Sequence, residues 1–288
     1  MEEYLLDLLA VTLGGGLAIL LLLILERVGR LRYAARWRCL AWLLLCLRLA
    51  VPVPILPEGV DVLPAPIRVE VPVDRVIYQY TPSPQQDVGE GTTVQPVQPV
   101  KTQERGGVCL SQVLFLLWLV GGLAVLTVNS IRHGRFLAYL RRWGWPEEEP
   151  ETRDLFRQLA DRLRLNRRPA LWTCVELSSP MLVGLIRPRL ILPAEEMEGE
   201  TLAYAILHEL THYRRRHIWL KALVLWVCAL HWFNPLVWFM ARAVEQDTEL
   251  DCDEQVLKNL PPENRAAYCR TIVDAAAGWK GETYETTK

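Results

Sequence analysis

The chain has 288 residues, a formal net charge of −1 and 51% hydrophobic residues. A length of this order allows one or two domains, but the apolar residues are bunched into long runs, which makes this a membrane protein. Its seven cysteines include no C-x-x-C pair, so there is no disulfide framework. Cys39, Cys46 and Cys228 lie in apolar segments as small core residues, and Cys174, Cys252 and Cys269 are expected as free thiols.

The first run, residues 4–25, contains one acid, Asp7, and is otherwise apolar apart from Thr12. As a helix it is about 33 Å long, enough to cross a hydrocarbon core. Met1-Glu2-Glu3 is acidic where a secretory signal needs basic residues, and the run is too long for a signal's apolar region. It is therefore read as a retained span. Residues 39–55 and 108–128 are expected as two further spans, with Arg48 of the former near one end and able to snorkel to the headgroups. Arg27, Arg30, Arg32, Arg36 and Arg38 crowd the first connector, and Arg132, Arg135, Arg141 and Arg142 follow the third span. The positive-inside bias makes both sites cytoplasmic. The N-terminus and residues 56–107 are then outside. The arginine clusters read as topology signals in a plasma-membrane protein, and no direct nucleic-acid contact is expected.

Residues 56–107 are rich in Pro, Val, Gln and Thr, the composition of an extended, solvated loop. A short β stretch is possible at 69–80. Beyond the third span the composition becomes that of a soluble domain. Leu155, Phe156, Leu159 and Leu163 are spaced as on a helix over 153–165. Short β-like runs follow at 170–175, 181–186 and 189–192, punctuated by Pro180, Pro188 and Pro193. Residues 200–216 read as a helix led by acids and ended by arginines, as the helix dipole prefers. A second apolar stretch, 218–241, is broken at Asn234-Pro235, and the helical tail is interrupted at Pro261-Pro262.

The segment His208-Glu209-Leu210-Thr211-His212 carries the chemistry. Histidines four apart share one helix face, so both imidazoles can reach one zinc ion. The glutamate beside the first histidine is placed to take a proton from a water activated there. A catalytic zinc site needs a third protein ligand and an open position. The acids of residues 245–254 are the source: Glu249 and Asp253 stand four apart on one face, matching a zinc ligand and an acid that orients a ligand histidine. Glu245 shares the face of Glu249 and is its rival. Asp247, Asp251 and Glu254 are expected to be solvated, and His217 to sit at the membrane surface.

This spacing constrains the path of the chain. About 24 mostly apolar residues separate the two halves of the site, and a straight helix of them would be about 36 Å long. One crossing would leave Glu249 on the wrong side of the bilayer. The chain must therefore turn back, and Asn234-Pro235 is the natural break. Residues 217–241 are expected as a re-entrant hairpin, with Trp219, Trp226, Trp232 and Trp238 as interfacial anchors.

Together, His208-Glu209-Leu210-Thr211-His212, His231-Trp232-Phe233-Asn234-Pro235-Leu236 and Glu249-Leu250-Asp251-Cys252-Asp253-Glu254 resemble the peptidase portion of the BlaR/MecR antibiotic-sensing receptors. The segment 179–193 is similar to the strand pair that precedes their zinc helix. The resemblance implies His208, His212 and Glu249 as zinc ligands, Glu209 as catalytic acid/base, Asp253 beside them, and a gluzincin fold facing the cytoplasm. It also implies a zinc endopeptidase that cuts a cytoplasmic protein, a transcriptional repressor. The resulting expectation is a mainly α membrane protein with an α+β metalloprotease domain. Residues 1–55 hold two transmembrane helices, 56–107 the outer loop, 108–130 the third helix and 131–288 the cytoplasmic domain with its hairpin. No Ser-x-x-Lys motif of a penicillin-binding sensor occurs in these residues, so they do not support β-lactam sensing. The alternatives are a quality-control protease resembling the HtpX type, and a non-catalytic zinc-binding anchor subunit.

Overall fold

A computed structural model describes residues 2–29, 35–51, 110–175, 177–195, 197 and 199–285. The expected outer loop at 56–107, with its β stretch at 69–80, lies outside the described residues. The protein is mainly helical and membrane-associated, with a small mixed α/β domain. Helices α1 (Glu2–Gly29), α2 (Ala35–Ala50) and α3 (Leu110–Trp143) come first. Strand β1 (Gly144–Pro146), helix α4 (Pro150–Arg162) and strands β2 (Ala170–Cys174), β3 (Met181–Val183) and β4 (Arg189–Pro193) build the mixed part. Helices α5 (Gly199–Arg215), α6 (His217–Leu230), α7 (Pro235–Asn259) and α8 (Pro262–Glu285) complete the chain.

Among the described residues two helices, not the expected three, are long and apolar enough to cross a membrane: Leu5–Leu25 within α1, and α3. Helix α2 has 16 residues and carries Arg36, Arg38 and Arg48. At about 24 Å it is shorter than a hydrocarbon core of about 30 Å. Its Trp42, Cys46 and Leu49 are buried against α6 and α7 instead. Helix α3 has 34 residues and runs on through the expected span and its basic flank to β1.

The four-stranded sheet has the order β1-β2-β4-β3. β1 pairs antiparallel with β2, β2 parallel with β4, and β3 antiparallel with β4. β3 therefore sits at an edge. Gly184 at the β3–β4 turn has φ +97°, and a Cβ there would meet the Arg187 carbonyl oxygen at 2.6 Å. Only glycine suits that corner.

The break at Asn234-Pro235 separates α6 from α7. Asn234 caps α7 by accepting a hydrogen bond from the Leu236 backbone N–H at 2.9 Å, and Pro235 occupies the first turn, where no N–H partner is needed. The turn is pinned from three sides. Buried His231 lies 2.7 Å from Thr12 Oγ1 of α1, and its Nε2 donates to the Leu49 carbonyl of α2 at 3.1 Å. Trp232 donates to the Trp118 carbonyl of α3 at 3.1 Å, while Trp118 donates to the Leu230 carbonyl at 2.8 Å. Trp232 is thus a clamp rather than an interfacial anchor; Trp219, Trp226 and Trp238 are exposed.

Helix α7 belongs to two cores. Its Val237, Met240 and Val244 pack with α1, α2 and α6. Its Val256 packs with Phe156 of α4, Leu190 of β4, Leu207 of α5 and Tyr268 of α8. The helix is a single shaft from the apolar bundle into the mixed domain.

Gly121 permits the close approach of α3 to the Trp232 ring, since a Cβ would lie 2.2 Å from it. Gly121→Ala should therefore cost about 1–3 kcal/mol through overpacking. Gly134→Ala, with open space around it, should gain up to about 1 kcal/mol from helix propensity. Opposite shifts in the melting temperature of the detergent-solubilised protein are the expected outcome; equal shifts would remove this role for Gly121.

Candidate metal centre

Helix α5 begins with acidic Glu200 and ends in Arg214 and Arg215, which suits its dipole. Its Ile206, Leu207 and Leu210 are buried in the core shared with α4 and α8. That leaves His208 and His212, one turn apart, on the side of α7. Their Nε2 atoms are 3.0 Å apart. Glu249 Oε2 of α7 lies 3.2 Å from His212 Nε2 and 3.4 Å from His208 Nε2.

The remaining ring nitrogens are also held. His208 Nδ1 is 3.0 Å from Tyr268 Oη and 3.3 Å from Asp253 Oδ1, and the Tyr268 hydroxyl donates to Asp253 at 2.8 Å. His212 Nδ1 is 2.9 Å from His217 Nδ1, and His217 Nε2 is 3.1 Å from Asp251 Oδ2. Arg215 grips Asp251 with two bonds, Nε at 2.6 Å and Nη2 at 2.8 Å. Lys221 of α6 reaches Glu249 Oε1 at 3.3 Å.

Glu209 faces the other side of the pair. Its carboxylate accepts a hydrogen bond from the Leu182 backbone N–H of edge strand β3. A cleft of about 220 Å³ lies there, lined among others by Met181, Glu209, His212, Lys221 and Glu249. Burial, with the nearby Glu249 charge, pushes the Glu209 carboxyl up to about 7 although His208 pulls the other way.

Burial disfavours charge on His208, yet hydrogen bonds with Asp253, Cys252 and Glu249 raise its pKa above the ordinary histidine value. Burial lowers that of His212. Burial alone would raise the Glu249 pKa, but its bonds to the two histidines bring it well below the carboxylate range. Two imidazole nitrogens at 3.0 Å repel unless a proton or a cation lies between them. Nitrogen, oxygen and thiol donors converging in this way fit a metal such as zinc, which would displace that proton.

The structure corrects the expected enzyme class. The gluzincin-type zinc endopeptidase was expected to hold its ion with His208, His212 and Glu249. The His/Cys/Asp/Glu cluster that forms among the described residues is His208, His212 and Cys252, whose ligand atoms all lie within 4.8 Å of one another. Cys252 is buried on the face of α7 turned toward α5, and its thiol donates to the His208 carbonyl at 3.1 Å. Burial raises that thiol to about 11. Glu249, one turn earlier, stands at the cleft mouth with its side chain 44% exposed, shared between the histidines and Lys221.

Other expectations change as well. Asp247 and Asp251, expected in solvent, are both completely buried, and His217 is buried instead of lying at a membrane surface. Each acid meets a cation from another helix: Arg38 of α2 lies 3.0 Å from Asp247, and Arg215 holds Asp251. Glu254 is half-buried and accepts from the Ala35 backbone N–H at 3.1 Å. Glu245, the rival of Glu249, is exposed. Tyr268 had no role in the sequence reading, and Cys252 was expected only as a free thiol. No motif announces Tyr268, which arrives from α8; Cys252 could have been noticed three residues after Glu249.

A helical, membrane-associated chain with a small mixed sheet against a His-Glu-x-x-His helix has the form of a membrane-bound metallopeptidase. It belongs to the BlaR1 peptidase M56 family, whose sequence profile matches residues 6–287. Regulatory protein BlaR1 of Bacillus licheniformis is 25% identical over 166 residues, covering 57% of this chain and 28% of that protein. The methicillin resistance mecR1 protein of Staphylococcus aureus (strain Mu50) is 30% identical over 100 residues, covering 34% of this chain and 17% of that protein. The matches thus span less than a third of the length of these relatives.

Asp251→Ala would leave Arg215 and His217 facing a buried gap. The expected cost is about 3–5 kcal/mol, read as a large fall in melting temperature. Lys258→Ala, which removes an exposed pair with Glu254, should change stability by less than about 1 kcal/mol. A mild effect of Asp251→Ala would show that the buried pair is not structural.

Proposed function

We propose that this chain is a membrane-embedded signalling protease of the BlaR/MecR type, hydrolysing a peptide bond of a cytoplasmic protein, a DNA-binding transcriptional repressor. The observation that carries the reading is the pair of histidine Nε2 atoms 3.0 Å apart, with Glu209 between them and edge strand β3. Zinc is the proposed metal, held by His208 and His212 with the third donor from α7, where both Cys252 and Glu249 reach the pair. When bound, it would supply Lewis acidity for a carbonyl or a water.

The side chains do the rest. An extended substrate segment pairs with β3 at the sheet edge, which places its backbone over the cleft. Glu209, anchored by the Leu182 N–H, takes a proton from the attacking water and delivers it to the departing amine. Asp253 orients His208 directly and through Tyr268. Lys221 steadies the Glu249 carboxylate at the mouth.

The test is to co-express a repressor encoded nearby with wild type, Glu209→Gln or His208→Ala, following repressor fragments by mass spectrometry and zinc content of the purified protein. Wild type should give fragments; Glu209→Gln should keep zinc and give none; His208→Ala should lose both. Cys252→Ala and Glu249→Ala identify the third donor by zinc loss, and full retention in both would remove α7 from the ligand set. Unchanged repressor with wild type under every inducing condition would sink the signalling reading in favour of quality control.

The proposed placement has the N-terminus and residues 56–107 outside, and residues 131–288 in the cytoplasm with 217–241 dipping into the membrane as a hairpin. The arginine asymmetry and the turn at Asn234-Pro235 support it. Single cysteines at exposed Glu148 and Glu263 should react with impermeant reagents from the cytoplasmic side only. Labelling of the two from opposite sides would exclude the hairpin.

A further inference from the structure

His217 is buried, carries no role in the proposed chemistry, and sits between a metal-site histidine and a buried carboxylate. Its position is set by an unusual backbone. Arg216, between α5 and α6, has φ 59° and ψ 32°, the left-handed region that is strained for a residue with a Cβ. The kink between α5 and α6 brings the His217 ring against His212, with ring centroids 5.0 Å apart. A surface histidine would need no such turn.

We infer that His217, Asp251 and Arg215 form a positioning relay that fixes which nitrogen of His212 is bare and aims it at the metal. This rests on the reading that His212 is a metal ligand. Metal-binding histidines commonly donate their second N–H to a carboxylate or carbonyl, which sets tautomer and ring orientation. Here the carboxylate is reached through a second imidazole.

The proton positions follow from who can only accept. Asp251, fully buried and doubly bonded by Arg215, is a carboxylate and offers no hydrogen. His217 Nε2, at 3.1 Å, must therefore carry the proton and donate it. In the proposed relay this is the proton that His217 carries, and its Nδ1 is bare. That nitrogen accepts from His212 Nδ1–H at 2.9 Å. His212 Nε2 is left as a lone pair, directed toward His208 Nε2 and Glu249. The reverse order, with His217 donating from Nδ1 as well, would put a hydrogen on His212 Nε2 and close it to a metal. Arg215 and Asp251 thus act at one remove; neither touches the reacting atoms.

The experiment uses the full chain in detergent, stripped of metal and titrated with Co2+ by its d–d absorption and with Zn2+ in competition. His217→Leu should weaken metal binding by about 10–100-fold. His217→Gln, whose amide can both accept from His212 and donate to Asp251, should restore most of it. Wild-type affinity in His217→Leu, or no recovery in a folded His217→Gln, would overturn the relay. Undiminished binding in His212→Ala would instead overturn the underlying ligand assignment. Should His217→Leu fail to fold, 15N-histidine NMR of the Zn2+-loaded wild type decides: a proton on His212 Nδ1 and on His217 Nε2 is the expected pattern, and a proton on His212 Nε2 would refute it.

Discussion

Two carboxylates one turn apart on α7, Asp247 and Asp251, have no access to solvent, and the packing of the bundle answers to them. A buried carboxylate without partners is expensive enough to unfold its surroundings or to take up a proton. Each is met by groups from a different helix. Trp42 donates to Asp247 Oδ2 at 2.8 Å and Arg38 lies 3.0 Å from Oδ1, so α2 is bound to α7. Arg215 and His217 meet Asp251 from the end of α5 and the start of α6. Glu249 stands between those two acids and Cys252 directly after the second, and both face the histidine pair. The groups that organise the bundle and the groups that face the metal site are therefore interleaved on a single helix.

The interleaving ties the metal centre to the membrane part. Helix α7 starts at a turn held by α1, α2 and α3 through His231, Trp232 and Trp118, and ends in the core of the mixed domain. A shift of α2 along α7 would disturb the partners of Asp247 and the Ala35–Glu254 contact, each a few residues from the site. Burial and charge pairing supply the stiffness that a flexible connection would lack.

Much of this was legible from local chemistry. The long apolar runs at 4–25 and 108–128 depend only on composition, and their described residues lie in span-length helices. Asn234-Pro235 reads as a break because asparagine caps and proline cannot continue a preceding helix, and α7 begins there. The strands over 170–192 and the helix carrying His208 and His212 follow from propensity, proline punctuation and the distribution of end charges. Residues 39–55 misled by the same logic: the described helix there has 16 residues, and its Trp42, Cys46 and Leu49 are buried against α6 and α7.

By itself, then, the sequence determined the helix that presents two histidines, the turn between α6 and α7 and the apolar character of α1 and α3, because each depends on neighbours within a few residues. Which acids of α7 are buried, which way His217 points and which residues complete the metal centre were decided by the tertiary structure. All the acids within 245–254 are equally polar as letters. Only the arrival of Arg38, Arg215, Lys221 and Tyr268 from distant helices makes one a buried counter-ion, another a cleft-mouth carboxylate and a third the partner of a histidine. That sorting is a property of packing at long sequence separation, where no local period or propensity reaches.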